Sequence, residues 1–473
     1  MSTKTELAVI GGGPGGYAAA FLAADLGMNV TLIDLEKNPG GVCLYRGCIP
    51  SKALLHVAKL IHEADDAKKW GVEFGEPKID INKLRDFKNG VVNKLTGGLG
   101  QLCKQRKVNY INGRASFVNS NTLSVDMPDG AAEEVIYEKA ILATGSVPAT
   151  IPGFPTNSPL VMDSTSALDI IDIPNKLLVI GGGYIGLELS TVYASLGSKV
   201  TVVEMLPGLL PGADRDMVAV LEKRLKKILD KVYTETKVAE LKVNGSSIAA
   251  KLEGKNVSEP EQIFDKVLVA IGRKTVTSQL GLENTNVKVN KQGFVVVDKQ
   301  LKTDDASIYA IGDIVGGAML AHKAAAEGKV AVEAILGNKA AFEPNAIPAV
   351  VFTDPEIAWT GLTETEAREK GIKVEVAKFP WSASGRAATM DRNDGMTKLI
   401  IEPGTERILG VGIVGVCAGD MIAEGTLAIE MGAVVKDLEL TIHPHPTLSE
   451  TMMFAAELFY GHATDMYRPK RKQ

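Results

Sequence analysis

Two cysteines, Cys43 and Cys48, stand with four residues between them in Gly40-Gly41-Val42-Cys43-Leu44-Tyr45-Arg46-Gly47-Cys48-Ile49-Pro50-Ser51-Lys52. A pair so close can pass between dithiol and disulfide, which is two-electron chemistry. Taken alone, the same pair reads as two small apolar residues of a core, so its surroundings must decide. Pro50 suits the first turn of a helix running through Lys52-Ala53-Leu54-Leu55. That puts Cys48 at the helix N-terminus, where the dipole favours a thiolate. Lys52 follows on the same helix face. Far along the chain, His445 lies between Pro444 and Pro446, which keep it out of a helix and on a rigid extended arm. An imidazole so held suits a general base for a thiol proton near neutral pH. Glu450 has two readings: a carboxylate partner for the His445 imidazolium, or the closing residue of a capping box, Thr447-Leu448-Ser449-Glu450, before a helix from Thr451 to Tyr460. His443 is the weaker candidate base, and His322 reads as structural or as a neighbour of a cofactor.

The elements that must position these groups are written twice. Leu7 to Ile10 is a short apolar run, followed by Gly11-Gly12-Gly13-Pro14-Gly15-Gly16, a helical stretch from Tyr17 to Gly27, a strand from Val30 to Ile33, and Asp34. The second copy runs from Leu177 to Ile180 through Gly181-Gly182-Gly183-Tyr184-Ile185-Gly186, a helix to Gly197, the strand Val200 to Val203, and Glu204. Each carboxylate falls 23 residues after the first glycine of its unit. In both units the first glycine (Gly11, Gly181) makes the tight turn. The next (Gly13, Gly183) lets backbone approach a pyrophosphate, and the last (Gly16, Gly186) allows close helix–strand packing. The carboxylates are placed for ribose hydroxyls. One such glycine motif is weak; two with matched acidic ends are strong.

Two dinucleotide sites in one chain imply electron transfer between a tightly held and an exchangeable cofactor. Cys43 lies nine residues beyond Asp34, so the first site holds the cofactor that meets sulfur, and a flavin does so. The second is then a nicotinamide site. Glu204 favours NAD, because a carboxylate repels the extra ribose phosphate of NADP.

The 473 residues, 45% of them apolar, call for roughly three domains. A formal net charge of -5 offers no basic stripe for nucleic acid. Four cysteines, at 43, 48, 103 and 417, are too few for a secreted disulfide framework. No metal is expected, since no second Cys-x-x-Cys completes a zinc set and His56 fits an ordinary helix position. Only Met1 to Glu6 precede the first apolar run, too short for a targeting peptide, and no apolar run approaches a membrane span. A cytoplasmic protein away from membranes is expected.

With these residues in place, the chain resembles the pyridine nucleotide-disulfide oxidoreductases from end to end. Further matching stretches are Ala143-Thr144-Gly145, Ala270-Ile271-Gly272-Arg273, Ala310-Ile311-Gly312-Asp313 and His443-Pro444-His445-Pro446-Thr447-Leu448-Ser449-Glu450. Among members, those that oxidise dihydrolipoamide fit best. The resemblance implies FAD held by Gly11, Gly13, Gly16, Asp34, Lys52, Thr144, Gly145 and the ribityl-binding Asp313, and NAD held by Gly181, Gly183, Gly186, Glu204 and Gly272. It makes Cys43 the interchange thiol and Cys48 the flavin-facing one, pairs Lys52 with Glu188, and tips Glu450 towards a dyad with His445. It also brings His445 from the other subunit, so that a homodimer shares its active sites, and it names lipoyl domains of 2-oxo acid dehydrogenase complexes as partners.

Some positions depart from the family's pattern. Tyr45 and Arg46 replace the usual Asn and Val between the cysteines, which would bear on thiolate potential or substrate access. Asp34 replaces Glu and shortens the reach to the ribose. Tyr184 stands where glutathione reductases carry an aromatic lid, and Lys274-Thr275-Val276 lacks the usual Pro-Asn. The expected architecture is α/β: two Rossmann-like dinucleotide-binding domains plus a C-terminal α+β dimerisation domain. Residues 1–147 would bind FAD, 148–272 NAD, 273–345 would return to the FAD domain, and 346–473 would form the interface. One rival is an NAD(P)H-dependent reductase of another small disulfide such as glutathione. The other is a flavin-bound docking subunit, against which the complete set of Cys43, Cys48, His445 and Glu450 argues. The chain ends without a C-terminal cysteine pair.

Overall fold

The structure is a computed structural model that describes residues 2–467; the cysteine-free end, residues 468–473, lies outside the described residues. Its first sheet is parallel at its centre. Asn109–Asn112, Val30–Asp34, Ser2–Ile10 and Ala132–Leu142 lie side by side in that order, and Ile308–Ala310 pairs in parallel with the far end of Ala132–Leu142. Leu7, Ala8, Val9 and Ile10 are all buried, as a parallel strand covered on both faces requires. This strand starts at Ser2, earlier than its apolar run, because Ser2 already stands opposite Glu134 on the long neighbouring strand. Backbone pairing, which a polar side chain does not prevent, sets that boundary.

The helix Pro14–Asp25 begins three residues before the predicted Tyr17, with Pro14 in the first turn, where its missing N–H costs nothing. Its buried face is Gly15, Gly16, Ala19, Ala20 and Ala23. Small residues there let the helix Ala321–Ile335 approach so closely that a Cβ on Gly328 would lie 2.7 Å from Gly15 O.

The second sheet repeats the plan: Lys231–Tyr233, Lys199–Val203, Lys176–Ile180, Lys266–Val269 and Val161–Met162 are all parallel, with the helix Tyr184–Ser195 after the glycine turn. Three antiparallel strands, Thr236–Asn244, Ser247–Gly254 and Glu261–Phe264, are inserted before its return. Between the two units, Ser146–Pro148 pairs antiparallel with Arg273–Thr275. The C-terminal region is a five-stranded antiparallel sheet, Ala349–Val351, Glu356–Gly361, Ile408–Gly415, Met396–Ile401 and Glu375–Pro380 in spatial order. The helices Ala418–Glu430 and Glu450–Tyr460 pack on it.

This last region is fastened to the second unit by a buried cation. Lys398, fully enclosed, places Nζ 2.6 Å from Asp214 Oδ2, 2.9 Å from Asp216 Oδ1 and 2.9 Å from Glu364 Oε1. Lys398 thus fills the one three-carboxylate cluster of metal-binding geometry found among the described residues. No helix among the described residues is long and apolar enough to cross a membrane.

Candidate active site

The first glycine turn opens a cavity of about 450 Å³, within the range of small-molecule sites. Gly11, Gly13, Asp34, Cys43, Cys48, Lys52, Thr144, Gly145, Glu188, Arg273 and Asp313 all line it. The structure therefore gathers one wall from five stretches of sequence. Gly11, at φ +105°, holds the turn in a conformation that favours glycine. A Cβ on Gly16 would lie 1.8 Å from Gly11 O, so the helix can start this near the strand only without one.

Both cysteines are free. Hydrogen bonding with the Cys43 side chain, aided by the Lys52 charge against the opposing effect of burial, lowers the Cys48 thiol to about 7 from an ordinary 9.0. The same pairing, with burial and the nearby Cys48 charge, pushes Cys43 far upward. Cys48 sits at the N-terminal residue of the helix Cys48–Asp66, as expected. The neighbouring thiol adds to this placement, as the largest of the local contacts that act on its acidity.

Lys52 Nζ donates to Glu188 Oε2 at 2.8 Å. The other carboxylate oxygen, Oε1, accepts from Phe352 N at 3.0 Å, and the Phe352 ring lies 4.5 Å from the ammonium. Glu188 is buried, and an ammonium and a backbone N–H together satisfy it. Nothing in the sequence marks Phe352, which comes from the C-terminal region.

Asp34 and Glu204 act alike on their own turns. Asp34 Oδ2 accepts from Gly12 N at 2.5 Å and Oδ1 from Glu36 N at 2.8 Å, while burial raises its pKa. Glu204 Oε2 accepts from Gly182 N at 2.6 Å and Oε1 from Leu206 N at 2.8 Å. Each carboxylate thus shapes the glycine loop beside it, a role the ribose reading did not include. Gly181, at φ +113°, Gly183, Gly186, Glu204 and Gly272 lie outside the main cavity, around the second turn.

Three departures from the family pattern are now located. Arg46 pairs with Glu36 and Tyr45 Oη donates to Asn38 O at 3.0 Å, so both side chains brace the loop after Asp34. Val276 accepts from Thr144 Oγ1 at 2.9 Å and lines the main cavity. Val276 of the stretch Lys274-Thr275-Val276 thus stands at the first site. Tyr184 is 40% exposed on the cavity wall.

His445 and Glu450 do not line the main cavity. His445 is exposed, its peptide bond to Pro446 is cis, and its Nδ1 meets Glu450 Oε1 at 2.9 Å. With Nδ1 donating to the carboxylate, Nε2 is the free ring nitrogen. The two readings of Glu450 prove compatible: Oε2 also accepts from Thr447 N at 2.7 Å. Only that half of a capping box forms, because the helix Glu450–Tyr460 begins after Ser449 and Thr447 Oγ1 turns to Pro444 O. His443 is tied to Glu424 at 2.7 Å, which raises its pKa. His322 meets Pro348 O at 2.8 Å.

The cavity fits a flavin dinucleotide. Beside Gly145 no atom lies within 4 Å of where a Cβ would project, and at Gly13 the nearest is 3.9 Å away, so the groove is open where phosphates and ribityl would run. Gly183 and Gly272 leave the same space at the second turn. The fold and site together define a two-nucleotide enzyme with a dithiol at the first nucleotide.

Comparison with known proteins gives the same class. The model of the pyridine nucleotide-disulphide oxidoreductases matches residues 5–328, and that of the family's dimerisation domain matches residues 347–456. The chain belongs to this family, is a flavin-dependent disulfide oxidoreductase working with FAD and NAD(H), and carries the family's domain for pairing as a homodimer. Relatives named dihydrolipoyl dehydrogenase include those of Vibrio cholerae, 49% identical over 99% of this chain and 98% of theirs, and of Geobacillus stearothermophilus, 45% identical over 98% and 97%. Among solved structures, LpdA from Mycobacterium tuberculosis matches with a TM-score of 0.88 at 26% identity, covering 97% of this chain and 99% of that one. The HOCl-induced flavoprotein disulfide reductase RclA from Escherichia coli matches with 0.83 at 29%, covering 94% and 98%.

Proposed function

We propose that the protein is an NAD-dependent dihydrolipoyl dehydrogenase that oxidises the dihydrolipoyl groups of 2-oxo acid dehydrogenase or glycine cleavage complexes in the cytoplasm. The observation that carries this reading is the Cys43–Cys48 pair, its two thiols driven apart in acidity, on the wall of the cavity built by the first glycine turn. The name shared by full-length relatives supplies the substrate. By their contacts we divide the chain into an FAD-binding part, 1–147 with 273–345, an NAD-binding part, 148–272, and an interface part, 346–473.

In the proposed turnover the oxidised enzyme holds a Cys43–Cys48 disulfide. His445, acting across the dimer interface, takes a proton from the substrate thiol at Nε2, and Glu450 stabilises the imidazolium. The substrate thiolate attacks Cys43 Sγ, and Cys48 leaves as a thiolate, for which a pKa of about 7 suits it. The second substrate thiol, deprotonated in turn, attacks the substrate sulfur of the mixed disulfide. This closes the lipoyl ring and releases Cys43, whose raised pKa favours the protonated thiol. Lys52, held by Glu188, keeps a positive charge beside Cys48. Bound FAD supplies the two-electron link between the dithiol and NAD.

A second reading, an NADPH-driven reductase of another small disulfide, draws on Tyr184 at the cavity wall; Glu204 opposes the phosphate of NADP. Initial rates separate the two. NADH formation from dihydrolipoamide and NAD, with NADP and reduced glutathione inert, is the expected result. Turnover confined to NADPH and a different disulfide overturns it.

A further inference from the structure

Arg273 stands on the crossing strand Arg273–Thr275, where the chain leaves the second nucleotide unit. Its guanidinium grips one residue twice: Nε donates to Ser146 Oγ at 2.7 Å and Nη2 to Ser146 O at 2.6 Å. Ser146 Oγ in turn donates to Asp313 Oδ2, and Arg273 Nε lies 4.0 Å from that same oxygen. All three residues line the main cavity, with Ser146 buried and the Arg273 side chain 12% exposed.

The direction of this chain of bonds is fixed by chemistry. A guanidinium has donors only and keeps its charge, so Ser146 Oγ must accept from it. The one hydroxyl proton is then left for Asp313, whose Oδ2 accepts it. With Oδ2 engaged in this way, Oδ1 accepts no hydrogen bond among the described residues. It is an oriented acceptor on the wall of a cavity.

We propose that Arg273 is a positioning residue for the cofactor: through Ser146 it sets the rotation of Asp313, so that Oδ1 meets a hydroxyl of the ribityl chain. The inference rests on reading the main cavity as the FAD site. It has a second consequence, since the same side chain belongs to the strand leading out of the nicotinamide unit. Arg273 thereby ties the placement of that unit to the carboxylate that holds the flavin. A lysine supplies the charge but not the two-pronged grip, because an ammonium lacks the planar fork.

The test compares the FAD-loaded wild type with Arg273→Met, Arg273→Lys, Ser146→Ala and the double variant Arg273→Met with Ser146→Ala. Three quantities are read: the FAD dissociation constant by flavin fluorescence, and the visible absorption spectrum and midpoint potential of the bound flavin. Arg273→Met and Ser146→Ala should each weaken FAD by about tenfold or more and shift the flavin spectrum. Arg273→Lys should fall between Arg273→Met and wild type, and the double variant should be no worse than the poorer single. Additive losses in the double variant overturn the relay. So does an Arg273→Met protein with unaltered FAD affinity and spectrum that has lost only affinity for NADH. Should Arg273→Met fail to fold, Ser146→Ala and Arg273→Lys decide by the same readouts. A wild type that binds no FAD would sink the reading of the cavity itself, an outcome distinct from equal FAD binding by wild type and variants.

Discussion

At the scale of residues, the site works by dividing acidity between two like groups. Hydrogen bonding between them keeps the proton on Cys43 and makes it a poor acid, while Cys48 becomes a good one at about 7. A lowered pKa means that the thiolate persists to lower pH. Alkylation of Cys48 in the reduced enzyme by iodoacetamide should therefore rise through a midpoint near 7 and level off above it, where an ordinary thiol would still be climbing towards 9.0. Lys52→Met removes a charge that lowers this pKa, so its midpoint should move upward. Mass spectrometric counting of modified Cys48 against pH checks both, and an unmoved midpoint in Lys52→Met would remove Lys52 from the account. Lys52 and Cys48 were legible together because both lie within one turn of one helix. Glu188 and Phe352, which complete the environment of that ammonium, come from 136 and 300 positions further on, and only folding brings them there.

Among the elements, the two strand–turn–helix units make the same close contact between helix and turn. A Cβ on Gly186 would lie 2.1 Å from Gly181 O, as one on Gly16 would lie 1.8 Å from Gly11 O. Alanine at either position must push its helix from its strand, and a displacement near 1 Å at a positioned site costs about 10²-fold. Gly186→Ala should stay yellow, accept electrons from dihydrolipoamide, and lose about that factor in the rate of flavin reduction by NADH. Gly16→Ala should lose FAD itself. Absorbance of the purified variants and anaerobic reduction by each donor distinguish them, and the opposite assignment would exchange the two sites. Element boundaries were less legible than element order. The first strand reaches back to Ser2 through backbone pairing with Ala132–Leu142, and no side-chain pattern reports on that.

On the scale of the whole molecule, two attachments matter. Lys398 is the enclosed cation that joins Asp214 and Asp216 of the second unit to Glu364 of the C-terminal region. Lys398→Met would leave the buried Asp214 carboxylate without its cation, while Lys378 still pairs with Asp216 and Glu364, with an expected loss of about 3–5 kcal/mol in urea unfolding. A loss below 1 kcal/mol would mean that water replaces the lysine freely. The second attachment is between subunits. His445 and Glu450 form their dyad away from the cavity that holds Cys43 and Cys48, and the proposed chemistry needs both. Cys43→Ser and His445→Gln homodimers should each be inactive yet keep FAD. Dissociated and reassociated in equal amounts, they should recover about one quarter of wild-type activity, because half of the dimers are mixed and each mixed dimer has one intact site. Recovery of nothing would place His445 and Cys43 of one site in the same chain.

By itself the sequence determined whatever contiguous residues encode: the thiol pair at a helix start, two glycine turns with an acidic residue at a matched distance, and the proline-held His445. Such features depend on backbone geometry over a few turns, which local residue choice controls. Tertiary structure decided which of these groups meet, and how strongly each acts. It brought Cys43 and Lys52 to act on the acidity of Cys48, since such effects need side chains within a few ångströms. It gave Asp34 and Glu204 to their own glycine loops, placed Val276 at the first cavity, and shared Glu450 between His445 and Thr447. It also assembled Arg273, Ser146 and Asp313, residues scattered over 167 positions, into one chain of hydrogen bonds. Hydrogen bonding and desolvation act over a few ångströms, and only the fold fixes which distant residues come within that range.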